Sequence, residues 1–239
     1  MHFCSVSMKN SKELEEKLNI VFNNQDLLKE ALTHRSYLNE NQSCGYKNNE
    51  RLEYLGDAVL ELIVTENLFT RFPDFQEGYL TSLRAALVNY QMLGRIAKEI
   101  TLDKYLYLSR GESKDFGKAR EVILANAIES LIGAVYLDQG YEATKELVAR
   151  VVLTHLEEVI EKRLYLDPKS LLQEFVQEKY KMTPTYTVLK EEGPDHQKMF
   201  LVGVFIGERK AAESTGSSKQ EAETKAALVA LDEFELEGK

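Results

Sequence analysis

Residues 49–60 place acidic side chains three and four positions apart among apolar ones. At roughly 100° per residue, this spacing puts Glu50, Glu53 and Asp57 on one side of an α-helix. Like charges at such spacings destabilise a helix by a few tenths of a kcal/mol per pair, roughly, so a compensating cation is expected. Carboxylate oxygens are the ligands that hard divalent ions prefer. Taken alone, the pattern is more typical of a solvated charged face with Arg51 as a partner.

A second segment, residues 122–138, changes that balance. It is apolar nearly all round, which predicts a buried helix, and yet it contains Glu129. An ionised carboxylate in such a helix must be paired or must bind a metal. Asn126 precedes Glu129 by three residues and therefore lies on the same side of the helix. Two helices would thus bring Glu53, Asp57, Asn126 and Glu129 together.

These two segments resemble known sequences. Residues 49–60 resemble the signature helix of the ribonuclease III family of double-stranded-RNA endonucleases, and residues 123–138 resemble its second metal-binding helix. A twelve-residue match together with a second matching helix is a specific signal. Further matching segments lie at residues 31–36, 71–73, 77–78 and 83–85. The resemblance therefore covers most of residues 12–155.

The resemblance implies that Glu53, Asp57, Asn126 and Glu129 hold a catalytic Mg²⁺, with Mn²⁺ able to substitute. Asp57 and Glu129 are implied to be the critical catalytic residues. Mg²⁺ needs only a few carboxylates plus the scissile phosphate, because it keeps several of its waters. The chain has four His and two Cys, which argues against zinc as the main chemistry. No organic cofactor is implied.

Position 126 departs from the family, which usually has Asp there. Asn126 keeps one amide oxygen but carries no charge. In one interpretation the amide still ligates the metal, directly or through water, and the site works with weaker affinity or altered preference. In the other, the site is disabled and the protein is a catalytically weak or inactive double-stranded-RNA-binding protein. We favour the first, because the other acidic residues all match.

Three more residues match positions near the family's active site or dimer contact. Glu50 and Glu77 are expected to assist RNA or a second ion, although Glu50 pairing with a nearby cation and Glu77 preceding a turn at Gly78 are equally good interpretations. Tyr54 faces away from the acidic side chains. The resemblance implies that it enters a socket on a partner subunit and that the protein is a symmetric homodimer. Without the resemblance, Tyr54 would be an ordinary core aromatic.

Composition bounds the class of protein. The chain has 239 residues, 44% of them hydrophobic, enough for one large or two small domains. No stretch approaches the roughly 18 apolar residues of a membrane span, and the first residues do not form a signal peptide. Cys4 and Cys44 are expected to be free thiols in a reducing compartment. We therefore expect a cytoplasmic protein with no membrane partner.

Helical spacing of apolar residues dominates the first region, and no strand-like alternation precedes residue 184. The predicted helices are 11–18, 24–33, 49–69, 77–98, 122–138 and 141–164, with loops at 39–48, 72–74 and 109–120. We predict an all-α catalytic domain over residues 8–160 and a linker over residues 161–167.

The pattern changes after Asp167, which can cap a helix whose first residue is Pro168. Alternation then predicts three strands, and Ser218 with Glu221 forms a capping box for a last helix. The predicted elements are a helix at 169–180, strands at 185–189, 198–206 and 209–214, and a helix from 218 to about 236. Residues 168–237 are thus a small α+β domain with the order α-β-β-β-α.

This second region resembles the double-stranded-RNA-binding domain, which reads A-form RNA by shape. The resemblance implies RNA contacts in the first helix, in the turn after the first strand and at the start of the last helix. The implied residues are Gln173, Glu174, Pro194, His196, Ser217, Ser218 and Lys219. Backbone N–H groups at a helix start also suit phosphate.

Charge is unusual for such a protein. The whole chain has a net charge of −9, and residues 168–239 have 10 Lys and Arg against 13 Asp and Glu, a net of −3. Gln220 and Glu223 occupy positions where the family commonly has basic residues. Because few counterions would be released, we expect RNA binding with a shallow salt dependence.

Two functions follow. The first is a Mg²⁺-dependent endonuclease that cuts double-stranded RNA to leave 5′-phosphate and 3′-hydroxyl ends and processes ribosomal and messenger precursors, as the resemblance implies. The second is the catalytically weak RNA-binding protein, and Asn126 discriminates between them. An all-helical dimerisation module with purely structural acids is less favoured, because Glu129 lies among apolar residues.

Overall fold

The chain forms two compact units, Met1–Tyr165 and Leu166–Lys239. The computed structural model describes residues 11–41, 45–114, 117–194 and 198–237. Cys4, Cys44 and His196, all named above, lie outside these residues.

The first unit is helical. Its α-helices are α1 (Ser11–Leu18), α2 (Gln25–Ala31), α3 (Arg35–Glu40), α4 (Glu50–Arg71), α5 (Glu77–Val88), α6 (Tyr90–Glu99), α7 (Lys118–Val151) and α8 (Leu156–Glu161). Short 3₁₀ turns lie at Leu102–Lys104, Glu112–Lys114 and Leu153–His155. In the described part of this unit, β pairing is limited to an isolated parallel bridge between Thr33 and Tyr107.

Helices α4 and α7 pack along each other at the centre of the unit. Each presents large apolar side chains that are fully buried, among them Leu60 and Ile63 from α4 and Val135 from α7. Burying one such side chain stabilises the fold by roughly 1.5–3 kcal/mol. The acidic segment of α4 therefore belongs to a helix pair that contributes many buried side chains to the core of the unit.

Helix α3 was not predicted, and two of the predicted helices differ from those observed. The predicted helix 77–98 is two helices, because Asn89 is extended, with ψ 159°, and its side chain caps α6 by accepting from Met92 N. The predicted helix 141–164 ends at Val151. The predicted break before it is confirmed at Gly140, where φ is 81° and ψ is −172°. Glycine adopts such a positive φ without strain, whereas side chains oppose it.

The second unit has the elements α9 (Pro168–Tyr180), β1 (Thr185–Glu192), β2 (Met199–Ile206), β3 (Arg209–Gly216) and α10 (Lys219–Glu237). Asp167 caps α9 by accepting from Ser170 N, and Pro168 is the first helical residue, as predicted. The strands form one antiparallel sheet in the order β1-β2-β3. Gly207, with φ 61°, lies in the turn between β2 and β3.

The core of this unit lies between the sheet and the two helices. Leu172 and Val176 of α9, Val204 of β2 and Ala226 and Ala230 of α10 are fully buried there. Together the two units confirm the predicted fold class, an all-α domain followed by an α-β-β-β-α domain. Among the described residues, no helix is long and apolar enough to cross a membrane.

Candidate active site and RNA-binding surface

The crossing of α4 and α7 depends on two glycines. A Cβ on Gly56 would lie 1.7 Å from the backbone oxygen of Glu129, and one on Gly133 would lie 2.3 Å from the backbone oxygen of Leu52. No real side chain tolerates such distances, so the two backbones touch here. Since Gly56 directly precedes Asp57 in sequence, this contact sets α4 and its acidic residues against the Glu129 turn of α7.

A buried serine adds to this contact. The Ser130 hydroxyl lies 2.6 Å from the carbonyl oxygen of Asn126 and 3.3 Å from that of Asn49. Asn49 itself is buried and its N–H donates to the Thr33 carbonyl at 2.9 Å. The residue before the acidic helix is therefore tied to α7 as well.

The four predicted metal ligands lie together at this crossing. Asp57 is exposed, and Glu53, Asn126 and Glu129 are half-buried. Burial, reinforced by the nearby carboxylates of Asp57 and Glu53, raises the pKa of Glu129 to about 8. Burial also raises the pKa of Glu53, against the opposing effect of a hydrogen bond from Asn126. The charges of Asp57 and Glu53 therefore disfavour the ionised form of Glu129.

The side chains are not gathered around a common point. Within the described ranges, no three His, Cys, Asp or Glu side chains are already placed to hold a metal ion. The donor set nevertheless has the right chemistry for a hard cation, because it consists of carboxylate and amide oxygens.

Beside the acidic residues lies a pocket of about 660 Å³. His34, Arg35 and Glu112 line it together with Glu50, Glu53 and Asn126. Burial lowers the pKa of His34, and its Nδ1 lies 2.8 Å from the Ser36 hydroxyl. His34 and Arg35 belong to the matching segment 31–36, but neither was predicted at the site. For Arg35, a signal was available, because three acids on one helix face require a cation.

Glu50 forms an ion pair with Arg35 at 3.4 Å and accepts a hydrogen bond from the Asn48 amide at 3.0 Å. The pairing that we considered for Glu50 is therefore present. Arg35 brings a positive charge to the rim of the acidic pocket.

Glu77 lies elsewhere in the unit. It begins α5, accepts a hydrogen bond from the Thr81 hydroxyl at 3.1 Å and shares a 390 Å³ pocket with Thr65 and Phe69. Thr65 follows Asp57 by eight residues, or about 12 Å along the helix. Within one chain, the structure does not bring Glu77 to the other acids.

Tyr54 is not a core aromatic, since 83% of it is exposed. Leu62 and Phe69, on the same face of α4, are 56% and 72% exposed. We call Tyr54, Leu62 and Phe69 the α4 stripe. Large apolar side chains aligned on one exposed helix face mark an interaction surface.

In the second unit, the predicted RNA-binding residues lie on three elements. Gln173 and Glu174 are exposed on α9, and Pro194 is exposed after Gly193, whose φ is 94°. The Ser218 hydroxyl accepts from Glu221 N at 3.2 Å, which is one of the two hydrogen bonds of the predicted capping box. The Glu221 carboxylate in turn accepts from Ser217 N at 2.9 Å.

Lys219, at the start of α10, does not point freely into solvent. Its ammonium group lies 3.1 Å from Glu191 Oε1, and that of Lys198 lies 2.9 Å from Glu191 Oε2. These two contacts lower the pKa of Glu191, and the contact with Lys198 has the larger effect. Both ammonium groups also lie over the Phe200 ring, at 5.8 Å for Lys198 and 5.5 Å for Lys219.

Other lysines of this unit are also paired. Lys169 contacts Glu223 at 2.6 Å, Lys210 contacts Glu213 at 2.7 Å and Lys225 contacts Glu221 at 2.8 Å. Each of these ammonium charges is therefore already balanced by a neighbouring carboxylate.

Comparison with known proteins gives a consistent result for both units. The family model described as Ribonuclease-III-like matches residues 24–156, and that described as Double-stranded RNA binding motif matches residues 168–233. Proteins named Ribonuclease 3 are similar over nearly their whole length. That of Dehalococcoides mccartyi is 44% identical over 223 residues, covering 93% of this chain and 94% of its own. That of Borreliella burgdorferi is 43% identical over 235 residues, covering 98% and 96%.

Solved structures agree for the first unit. Two structures of the nuclease domain of ribonuclease III from Campylobacter jejuni are similar to this chain, each with a TM-score of 0.55. They are 41% and 42% identical to it, covering 61% and 63% of this chain and 97% and 96% of their own. The first is described as showing structural flexibility in a region involved in dimer formation.

Proposed function

The chain belongs to the ribonuclease III family of double-stranded-RNA-specific endoribonucleases, and we propose that it cleaves RNA with a divalent metal, Mg²⁺ by preference, held by Glu53, Asp57, Asn126 and Glu129. Residues 8–160 form the proposed catalytic domain, residues 161–167 the linker and residues 168–237 the RNA-binding domain. The observation that carries the proposal is the meeting of three carboxylates and one amide at the glycine contact of α4 and α7.

The chemistry of these residues supports a divalent ion. When bound, such an ion supplies a more acidic attacking water and stabilises charge on the phosphate and on the leaving 3′ oxygen. Asp57 and Glu129 are the proposed catalytic ligands, and Glu53 and Asn126 complete the oxygen set. Because the 3′ oxygen is the leaving group, hydrolysis leaves 5′-phosphate and 3′-hydroxyl ends.

The residues around the ligands have their own roles. Arg35, paired with Glu50, is placed to meet an RNA phosphate at the rim of the pocket, where a guanidinium binds phosphate well. Glu50 then positions Arg35. Within one chain, Glu77 is separated from Asp57 along the length of α4. Its proposed accessory role therefore requires a second subunit that brings it to a site.

Homodimerisation is the second part of the proposal. Tyr54 and Phe69 stand at the two ends of the α4 stripe, and the 390 Å³ pocket borders Phe69. If two copies place their α4 helices antiparallel, Tyr54 of each copy reaches the pocket of the other. Such an isologous contact gives two sites, one for each RNA strand.

We propose precursor RNAs, ribosomal and messenger, as substrates and the cytoplasm as the location. The double-stranded-RNA-binding motif binds the duplex. Its lysines are mostly occupied by internal ion pairs, so shape recognition by α9 and the turn after β1 carries more of the binding than phosphate charge does.

Asn126 supports a second candidate, a catalytically weak double-stranded-RNA-binding protein. Its amide donates to the Glu53 carboxylate, where an aspartate would add a negative charge. Both candidate functions imply a weaker metal affinity than aspartate at position 126 would give. Only the second predicts that cleavage stays absent at saturating metal.

The deciding experiment is cleavage of an end-labelled RNA hairpin over a series of Mg²⁺ and Mn²⁺ concentrations. We expect turnover by the natural chain and loss of at least about 100-fold in Asp57→Asn, because that change removes a ligand charge. Asn126→Asp is expected to lower the metal concentration needed for half-maximal rate by about tenfold. The labelled ends of the products identify the phosphate position.

Absence of cleavage by the natural chain at every metal concentration, with cleavage restored in Asn126→Asp, would support the RNA-binding candidate. Equal activity of the natural chain and Asp57→Asn would overturn the site assignment.

A further inference from the structure

Glu191 occupies an unusual place on the RNA-binding unit. In the sheet register it lies directly opposite Phe200 of β2, and Phe200 lies opposite Gly216 of β3. Lys219 follows Gly216 by three residues. Cross-strand neighbours share one face of a sheet, so this register brings the Glu191 carboxylate to the start of α10.

Two lysines converge on that carboxylate from different parts of the chain. Lys198 reaches it from the residue before β2, at 2.9 Å, and Lys219 reaches it from the first turn of α10, at 3.1 Å. Glu191 and Lys198 remain 36% and 37% exposed and Lys219 57% exposed. The cluster is therefore open to a ligand from solution.

The ammonium groups are held close together by Phe200 as well as by Glu191. Two cations facing one aromatic ring repel each other, and the carboxylate between them offsets that repulsion. Two adjacent ammonium groups beside a helix start are also a natural site for phosphate. With Glu191 present, their net charge falls from +2 to +1.

We propose that Glu191 sets the RNA affinity of this protein, by competing with an RNA phosphate for the ammonium groups of Lys198 and Lys219. This inference rests on RNA binding by the second unit and concerns its strength rather than its existence. RNA binding must weaken or share the two ion pairs, so part of the phosphate attraction is offset within the free protein. The carboxylate thereby keeps phosphate binding weak and leaves shape recognition dominant.

The chain offers a matched control. Glu192 is adjacent in sequence, lies opposite Met199 and forms an ion pair with Lys190. Because neighbouring residues in a strand point to opposite faces, Glu192→Gln makes the same charge change away from the Lys198–Lys219 cluster. Any difference in RNA binding between the two variants then results from the position of the lost carboxylate and not from the change in net charge.

The experiment measures binding of the full-length chain to a fluorescent RNA duplex by anisotropy, in EDTA, with NaCl from about 50 to about 300 mM. A duplex of about 20 base pairs exceeds the roughly 16 that such a domain spans. We expect Glu191→Gln to bind about three- to tenfold more tightly at the lowest salt. Its log–log salt slope should steepen by about 1, since one more phosphate is neutralised. Glu192→Gln should change affinity by less than about twofold.

Weaker or unchanged binding by Glu191→Gln, or equal effects of the two variants, would overturn the proposal. Weaker binding would assign Glu191 the role of holding the lysines in place. No binding by the natural chain at any salt would instead contradict RNA binding itself. Thermal unfolding of each variant checks that the unit is folded, and Glu191→Asp provides a second test. It keeps the charge but shortens the reach, so its binding should lie between those of the natural chain and Glu191→Gln.

Discussion

The protonation of Glu129 depends strongly on its surroundings. Half-buried near Asp57 and Glu53, it has a pKa of about 8, against 4.5 for an ordinary Glu. At neutral pH without a cation it is therefore mostly protonated. The proposed metal ion would have to displace that proton before the carboxylate could ligate, so we expect metal binding to release a proton.

This shift predicts a pH dependence of stability without metal. Between about pH 4.5 and 8 the folded state holds a proton that the unfolded state has lost. The stabilisation is complete below 4.5 and disappears as pH rises through 8. We expect the urea midpoint, measured in EDTA, to fall between pH 5 and 8.5.

Glu129→Gln is the control for that measurement, because the amide does not titrate. Its urea midpoint should change less over the same interval. A natural chain whose stability is flat or rises between pH 5 and 8.5, relative to Glu129→Gln, would contradict the raised pKa.

At the scale of elements, the contact of α4 with α7 invites a direct test. Gly56→Ala places a methyl group 1.7 Å from a backbone oxygen, which forces the helices apart. We expect a loss of about 3 kcal/mol in the free energy of unfolding, at the upper end of overpacking costs. Urea unfolding measures it, and cleavage should fall with it because the acids separate.

Gly78→Ala is the matched control, since nothing lies within 4 Å of its Cβ position and it is in the first turn of α5. Alanine is favoured over glycine in a helix by up to about 1 kcal/mol, so this variant should be equally or more stable. Similar losses of stability in both variants would show that the close contact of α4 with α7 is not the cause of the loss in Gly56→Ala.

Sequence patterns predicted these elements unevenly. The acidic helix and its buried partner were predictable because apolar periodicity and a charge among apolar residues are local features. The break at Asn89 was not, since capping by an asparagine within an apolar run depends on backbone geometry. The short helix α3, within residues 34–40, has too few apolar residues to be recognised.

The same distinction applies to the site. Residue types and spacing suggested Glu53, Asp57, Asn126 and Glu129. The backbone contact at Gly56 and Gly133 and the presence of Arg35 beside Glu50 depend on tertiary packing, which no periodicity encodes. Nor did the sequence indicate that Lys219 meets Glu191, because that pairing follows from strand register.

At the scale of the whole molecule, the α4 stripe predicts the state of assembly. Tyr54→Asp should weaken the proposed homodimer by at least about 100-fold, since it places a charge within an apolar contact. Sedimentation equilibrium measures the change. Cleavage of both strands of a duplex should be lost together with the dimer.

Leu228→Asp is the control, an apolar-to-acid change at a 46% exposed position of α10. It should leave the association of subunits unchanged. A natural chain that sediments as a monomer, or a Tyr54→Asp variant that remains dimeric, would contradict the proposed contact.

The backbone contact between α4 and α7 also bears on how freely this sequence can vary. Where helices are held apart by side chains, each core substitution changes their separation. Here main chain rests on main chain, so the spacing of the acidic residues is set by van der Waals contact between the two backbones. We therefore expect exchanges of leucine and valine elsewhere in the core to affect mainly stability. A designer who keeps Gly56 and Gly133 can therefore redesign the rest of the helix pair without realigning its chemistry.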